Sequence, residues 1–139
     1  MTVPFRVFIY GLSTVFWLGV AVALALGHGD LPGLRELAPL FAFAVAAEAL
    51  TVGQDERAGI LSFSAAAHIA VAIVFGPVPA ALVAGAAVIV VDGVQLTAVR
   101  HVVVNSAMFG VSIWVAAEAY VLAGGSVAVS YTHLTLPTN

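Results

Sequence analysis

Cysteine is absent from the chain, which excludes disulfides, thiolate catalysis and Cys-ligated metals. Charge is nearly absent as well. Only 8% of the 139 residues are charged, against about a quarter in an ordinary soluble domain. With four basic residues no phosphate-binding patch can be assembled, so nucleic acid is not an expected partner. The net charge of −3 selects no other partner. Also missing are a glycine-rich phosphate cradle, a nucleophile elbow and a metal-spaced His cluster. The residues present therefore predict no catalytic site, no cofactor and no metal.

What fills the chain is apolar: 63% of residues are hydrophobic and the mean hydropathy is +1.15. So few charges cannot cover that much apolar surface in water, whereas lipid needs no such cover. The lipid bilayer is the first expected partner. Five apolar segments follow one another, at about 7–26, 37–52, 60–75, 80–99 and 102–123. At about 1.5 Å per residue, segments of this kind suit a hydrocarbon core of about 30 Å. The runs are continuous rather than alternating, and rich in Ala and Leu, which favours helices over the wall of a β-barrel. Small residues such as Gly11, Gly19, Ala42, Ala46, Ala81 and Gly85 allow close helix approach in lipid. The short links "GPVP" and "RH" make neighbouring helices antiparallel. The expected fold is all-α, a polytopic transmembrane bundle of about five helices forming one domain over residues 1–128.

Arg6, Arg57 and Arg100 fall on one side of such a bundle and Arg35 on the other, which places the N-terminus in the cytoplasm. The N-terminal run with "ALA" at Ala23–Ala25 has the outline of a signal peptide. Its apolar stretch is longer than a usual signal core, and four more spans follow, so a retained helix is expected.

Polar residues inside the apolar runs are the candidate sites. Glu48 interrupts the second run, where a charged carboxylate costs several kcal/mol unless it is neutral, paired or facing the bundle interior. It is read either as a ligand- or proton-binding group or as an acid hydrogen-bonded to a neighbouring helix. His68 and Ser64 share one helix face by their i, i+4 spacing. That face carries no further ligand, so a buried, hydrogen-bonded neutral imidazole is expected there. Asp92 stands beside Gly93, which suggests a local helix break, and Arg100 falls near the same face, for an ion pair with Asp92 or a contact with lipid headgroups. Asn105, Met108 and Ser112 form a stripe expected to hydrogen-bond between helices. Glu118 lies near the outer end of the fifth helix, within reach of the interface. Trp17, Trp114 and Tyr120 suit interfacial or packing roles, and His28 and Asp30 read as solvated loop residues.

The last residues, "VSYTHLTLPTN", break with this composition. The DNA string GTC TCT TAT ACA CAT CTG ACG CTG CCG ACG translates residue for residue as Val129–Thr138. It resembles a transposon end plus adapter from sequencing-library chemistry. Residues 129–139 are accordingly expected to be a non-native tail, outside any fold reasoning, and the natural sequence to have been cut near Ala128.

The stretch "LSFSAAAHIAVAIVFGPVPAALVAGAAVIVVD" and then "VVVNSAMFGVSIWVAAEAYVLAGG" resembles the N-terminal multi-pass membrane region of bacterial signalling proteins. In those proteins this region precedes cytoplasmic HD-type metal-dependent phosphohydrolase or GGDEF diguanylate cyclase domains. The likeness runs from Leu61 to Gly125. It rests on Leu61–Ser64, Phe75–Pro77, Ala80–Ala84 with Asp92, then Arg100, and Val103–Ala107 with Asn105. Where the family carries several basic residues and often a Trp, only Arg100 and His101 stand. The resemblance implies further helices and a cytoplasmic output domain downstream, in the inner membrane of a bacterium.

Three functions compete at this level. The first is a sensor or anchor module that binds a small or apolar ligand, or a partner helix such as a second copy in a homodimer. The second is a subunit similar to the substrate-binding components of energy-coupling-factor transporters. The third is a structural membrane protein without a ligand.

Overall fold

The computed structural model describes residues 3–26, 31–52 and 63–126. The adapter-like tail, the "GQDERAG" connection with Arg57, and His28 and Asp30 lie outside the described residues. Among those described, the chain is entirely helical: α1 (Val3–Ala25), α2 (Leu34–Val52), α3 (Phe63–Phe75), α4 (Pro77–Val94) and α5 (Val99–Leu122).

The helix ends follow from local chemistry. α2 opens at Leu34 rather than Leu37, because Glu36 in its first turn accepts a hydrogen bond from the Gly33 N–H at 3.2 Å. Pro39 sits inside α2 and withholds one N–H from its ladder. Only Gly76, at φ 89°, separates α3 from α4. Its N–H closes the end of α3 on Ala72 O, and its own carbonyl accepts from Ala80 N–H. Pro77 and Pro79 therefore fall in the first turn of α4, where a missing N–H leaves nothing unpaired. α4 begins three residues earlier than the sequence predicted, at Pro77 instead of Ala80.

α4 also ends sooner, at Val94 instead of Val99. Thr97 N–H bonds to Asp92 O at 3.0 Å and Leu96 N–H to Gly93 O at 3.2 Å, the paired bonds of a Schellman closure. α5 then takes up Arg100 and His101 in its first turn and closes in the same way, through Gly125 to Tyr120 and Gly124 to Val121.

α4 is the hub: it packs against all four other helices. Ala80, Ala81, Ala84, Gly85, Ala87 and Val88 are buried along it, and side chains that small let neighbouring backbones come close. One apolar cluster joins α2, α3, α4 and α5 around Ala44, Ala67, Val71, Val83, Ala87 and Ala117. The other joins α1, α4 and α5 around Phe16, Ala81 and Ala107. The ring of Phe16 lies edge-on to Trp17, with centroids 5.1 Å apart. A Cβ added at Gly110 would collide with the Phe16 ring, and one added at Gly85 would lie 3.1 Å from Trp17. These rings occupy space that only glycine leaves open.

Outside the two clusters the surface stays apolar. Val7, Phe8, Val15 and Leu18 of α1 are all more than 60% exposed. Three helices, Val7–Ala25, Pro77–Val94 and Val99–Leu122, are long and apolar enough to cross a membrane. The other two depart from that pattern. The 13-residue α3 covers about 20 Å at the usual helical rise, and α2 contains Arg35, Glu36 and Glu48.

Candidate functional site

Chain alternation places the C-terminal ends of α2 and α4 and the N-terminal ends of α3 and α5 at one end of the bundle. Most of the polar residues embedded in the apolar runs lie toward that end. α2 and α5 both pack against α3 and α4, while their own backbones stay apart. The gap between them is an open-sided cleft of about 380 Å³. Glu48 of α2 lines one wall, Asn105, Met108, Phe109 and Ser112 of α5 line the other, and Val88 and Asp92 of α4 lie between.

Each wall residue owes its place to helical spacing. Asn105, Met108, Phe109 and Ser112 recur at intervals of three and four and so form a single stripe along α5. Asp92 comes just before the turn that ends α4, and there Asn105 Nδ2 donates to Asp92 Oδ2 at 3.1 Å. Asp92 thus takes its hydrogen bond from Asn105 and not, as expected, from Arg100, whose Nε donates to His101 Nε2 at 3.2 Å. Glu48 is half-buried. Its Oε2 is shut away from solvent and has no hydrogen-bond partner among the described residues.

Ser112 corrects another expectation. Its hydroxyl donates to Met108 O of its own helix at 2.8 Å and makes no bond between helices. Ser13, Thr14 and Ser106 likewise bond back to Ile9, Tyr10 and Val103. In an apolar surrounding this satisfies a hydroxyl without a neighbouring helix.

His68 is fully buried, and Ser64 is nearly so. Among the described residues neither ring nitrogen of His68 has a hydrogen-bond partner, against the expected hydrogen-bonded imidazole. Ala67, Val71 and Ala72 of the same helix belong to the apolar cluster. The ring instead meets Phe109 edge-on, with centroids 5.2 Å apart and planes at 76°. Phe109 is therefore shared between the cleft wall and His68. It drew no attention in the sequence, although it lies one helical turn beyond Asn105 on the same stripe.

Glu118 stands apart, toward the other end of α5, where its Oε1 accepts from Trp114 Nε1 at 3.0 Å. The structure thus brings Glu48, Asp92 and Asn105 together in one cleft, with His68 adjoining through Phe109 and Glu118 elsewhere. Among the described residues no group of three His, Cys, Asp or Glu is placed to hold a metal ion. No protein-family model matches the chain, and neither a curated protein nor a solved structure matches it.

Proposed function

We propose that this chain is the membrane-embedded sensor and anchor module of a bacterial signalling protein, a multi-pass bundle in the inner membrane with its N-terminus in the cytoplasm. The cleft between α2 and α5 receives a small ligand. The observation that carries this reading is the separation of the two walls: α2 and α5 rest on shared neighbours with their backbones apart, and polar side chains line the space between. A ligand spanning the cleft would tie the position of α2 to that of α5. Displacement of α5 would then pass along the chain to an output domain, which the resemblance in the Leu61–Gly125 stretch implies to be a phosphohydrolase or diguanylate cyclase.

The same geometry weighs against a substrate-capturing transporter subunit. The cleft opens near the end that carries Arg100 and His101, and the arginine distribution assigns that end to the cytoplasm. A capture subunit needs its site on the outer side.

Two measurements test the reading. Because the chain has no cysteine, Arg100→Cys and Glu118→Cys can each be probed alone with a membrane-impermeant maleimide. In intact cells, Glu118→Cys is expected to react and Arg100→Cys to react only after lysis; the reverse pattern would invert the bundle and return the transporter reading. Sequencing the source DNA past codon 128 is expected to reach metal-spaced His and Asp of an HD domain, or a GGDEF motif. A stop codon soon after one more helix would refute the signalling assignment.

A further inference from the structure

The cleft can be characterised further by asking which hydrogen-bonding groups it leaves unanswered. Its polar lining is made mostly of acceptors. Glu48 and Asp92 bring carboxylates, and Ser112 has spent its proton on Met108 O, which leaves only its lone pairs facing outward. Asn105 directs an N–H at Asp92. Among the described residues no Arg, Lys or His lines the space, and Arg100 is turned to His101. Glu48 Oε2 is covered by protein and has no partner among the described residues, so the carboxylate meets a ligand in the cleft through its other oxygen, Oε1. A carboxylate held in an apolar surrounding without a counter-charge is costly, so a cation with its own N–H donors is the chemical complement.

The remaining lining fixes the rest of the ligand. Val88, Met108 and Phe109 are apolar. The Phe109 ring can face a cation with its π-cloud, and Met108 adapts to irregular hydrocarbon. The volume of about 380 Å³ falls toward the lower end of small-molecule sites. We propose that the cleft binds a compact organic ammonium ion, its N–H groups shared between Glu48 and Asp92 and its short apolar body against Met108 and Phe109. This rests on the reading of the cleft as the ligand-receiving part of the module. The ammonium group can come from a soluble amine or from the ethanolamine headgroup of a phospholipid, since both present the same donors.

The test uses the full chain in maltoside micelles, with phenethylamine as the cationic probe and 2-phenylethanol as its neutral counterpart of similar shape. Calorimetric titration should show saturable binding of phenethylamine at least about tenfold tighter than of the alcohol, the discrimination expected of a hydrogen bond to a charged group. Glu48→Gln and Asp92→Asn should each weaken the amine about tenfold, while Glu118→Gln, which removes a carboxylate outside the cleft, should leave it within about twofold. Circular dichroism confirms that each variant is folded. Phosphatidylethanolamine added to the micelles should compete if the headgroup is the source, and have no effect if a soluble amine is. Equal binding of amine and alcohol, both lost on Met108→Ala, would overturn the cation and leave a cleft for neutral ligands. Binding of neither, or amine binding unchanged in both carboxylate variants, would overturn the cation; absence of any binding would remove the cleft reading with it.

Discussion

α5 has two flanks, and they are finished differently. Toward α1 it offers Ala107, Gly110 and the backbone at Ser106, and Phe16 and Trp17 fill the space that these small residues leave. Toward α2 it offers Asn105, Met108, Phe109 and Ser112, which share an open cleft with Glu48 while the two backbones stay apart. Both flanks rest on α4. The first is a dry seam in which rings fit against glycine, and dispersion contacts hold it. The second is an open-sided cleft lined by polar groups. The difference implies a division of labour: the α1 side fixes α5 on α4, and the α2 side is left free to change.

If that division is right, the largest losses of stability belong to the α1 side. Phe16 is 3% exposed, and Phe16→Ala should destabilise the protein by about 3 kcal/mol through lost contacts and a residual cavity. Gly110→Ala drives a methyl group into the same ring and should cost about 1 to 3 kcal/mol. The two effects share one space, so Gly110→Ala should cost less than half as much in the Phe16→Ala background. Thermal unfolding in detergent, followed by circular dichroism, measures all three variants. Additive losses would mean that the ring and the glycine do not meet.

The cleft side should answer weakly, and once with the opposite sign. Glu48→Gln removes a charge from a half-buried position and should leave membrane insertion intact or improve it, by about 1 kcal/mol. The yield of folded protein in the membrane fraction reads this out. A large loss would mean that the carboxylate is structurally paired, and the cleft would then be a packed interface like its counterpart. Asn105→Ala breaks the bond to Asp92 and should cost about 0.6 to 1 kcal/mol in the same unfolding assay, the usual range between helices in a membrane. A loss as large as that of Phe16→Ala would erase the contrast between the flanks.

The contrast was only half visible in the sequence. Continuous runs of Ala, Val and Leu made the helices plain, and Gly124 with Gly125 marked the end of α5. Glu48, Asp92 and Asn105 stood out because a polar residue in such a run needs a reason. The separation of α2 from α5 was not legible, because it depends on which side chains meet across α4 and no local pattern encodes that. Hydrogen-bond partners were misjudged for the same reason: Ser112 turned to its own helix, and His68 met Phe109 instead of an acceptor. The early start of α2 was legible in principle, since Gly33 followed three residues later by Glu36 has the spacing of a capping pair.

The end of α4, which leads from the floor of the cleft to its wall, was only half marked: Gly93 suggested a break, while the run as a whole read on to Val99. A Schellman closure needs a left-handed backbone after the helix, where glycine is the common choice. α5 has Gly124 there, at φ 90°, whereas α4 has Leu96, at φ 55°. The hydrogen bonds at the two ends match; Gly93 did mark a break, but the left-handed position after α4 itself carries no glycine. A leucine in that conformation carries a penalty of about 1 to 2 kcal/mol. Its side chain is 92% exposed, so removing it sacrifices almost no packing. Leu96→Gly should therefore stabilise the protein, though the extra freedom that glycine gives the unfolded chain offsets part of the gain. A net increase of about 0.5 kcal/mol is expected, seen as a small rise in Tm, with Gly124→Ala moving in the opposite direction by about 1 kcal/mol. A fall in Tm for Leu96→Gly would mean that the leucine side chain makes a stabilising contact with lipid or a partner at the cleft end of the bundle.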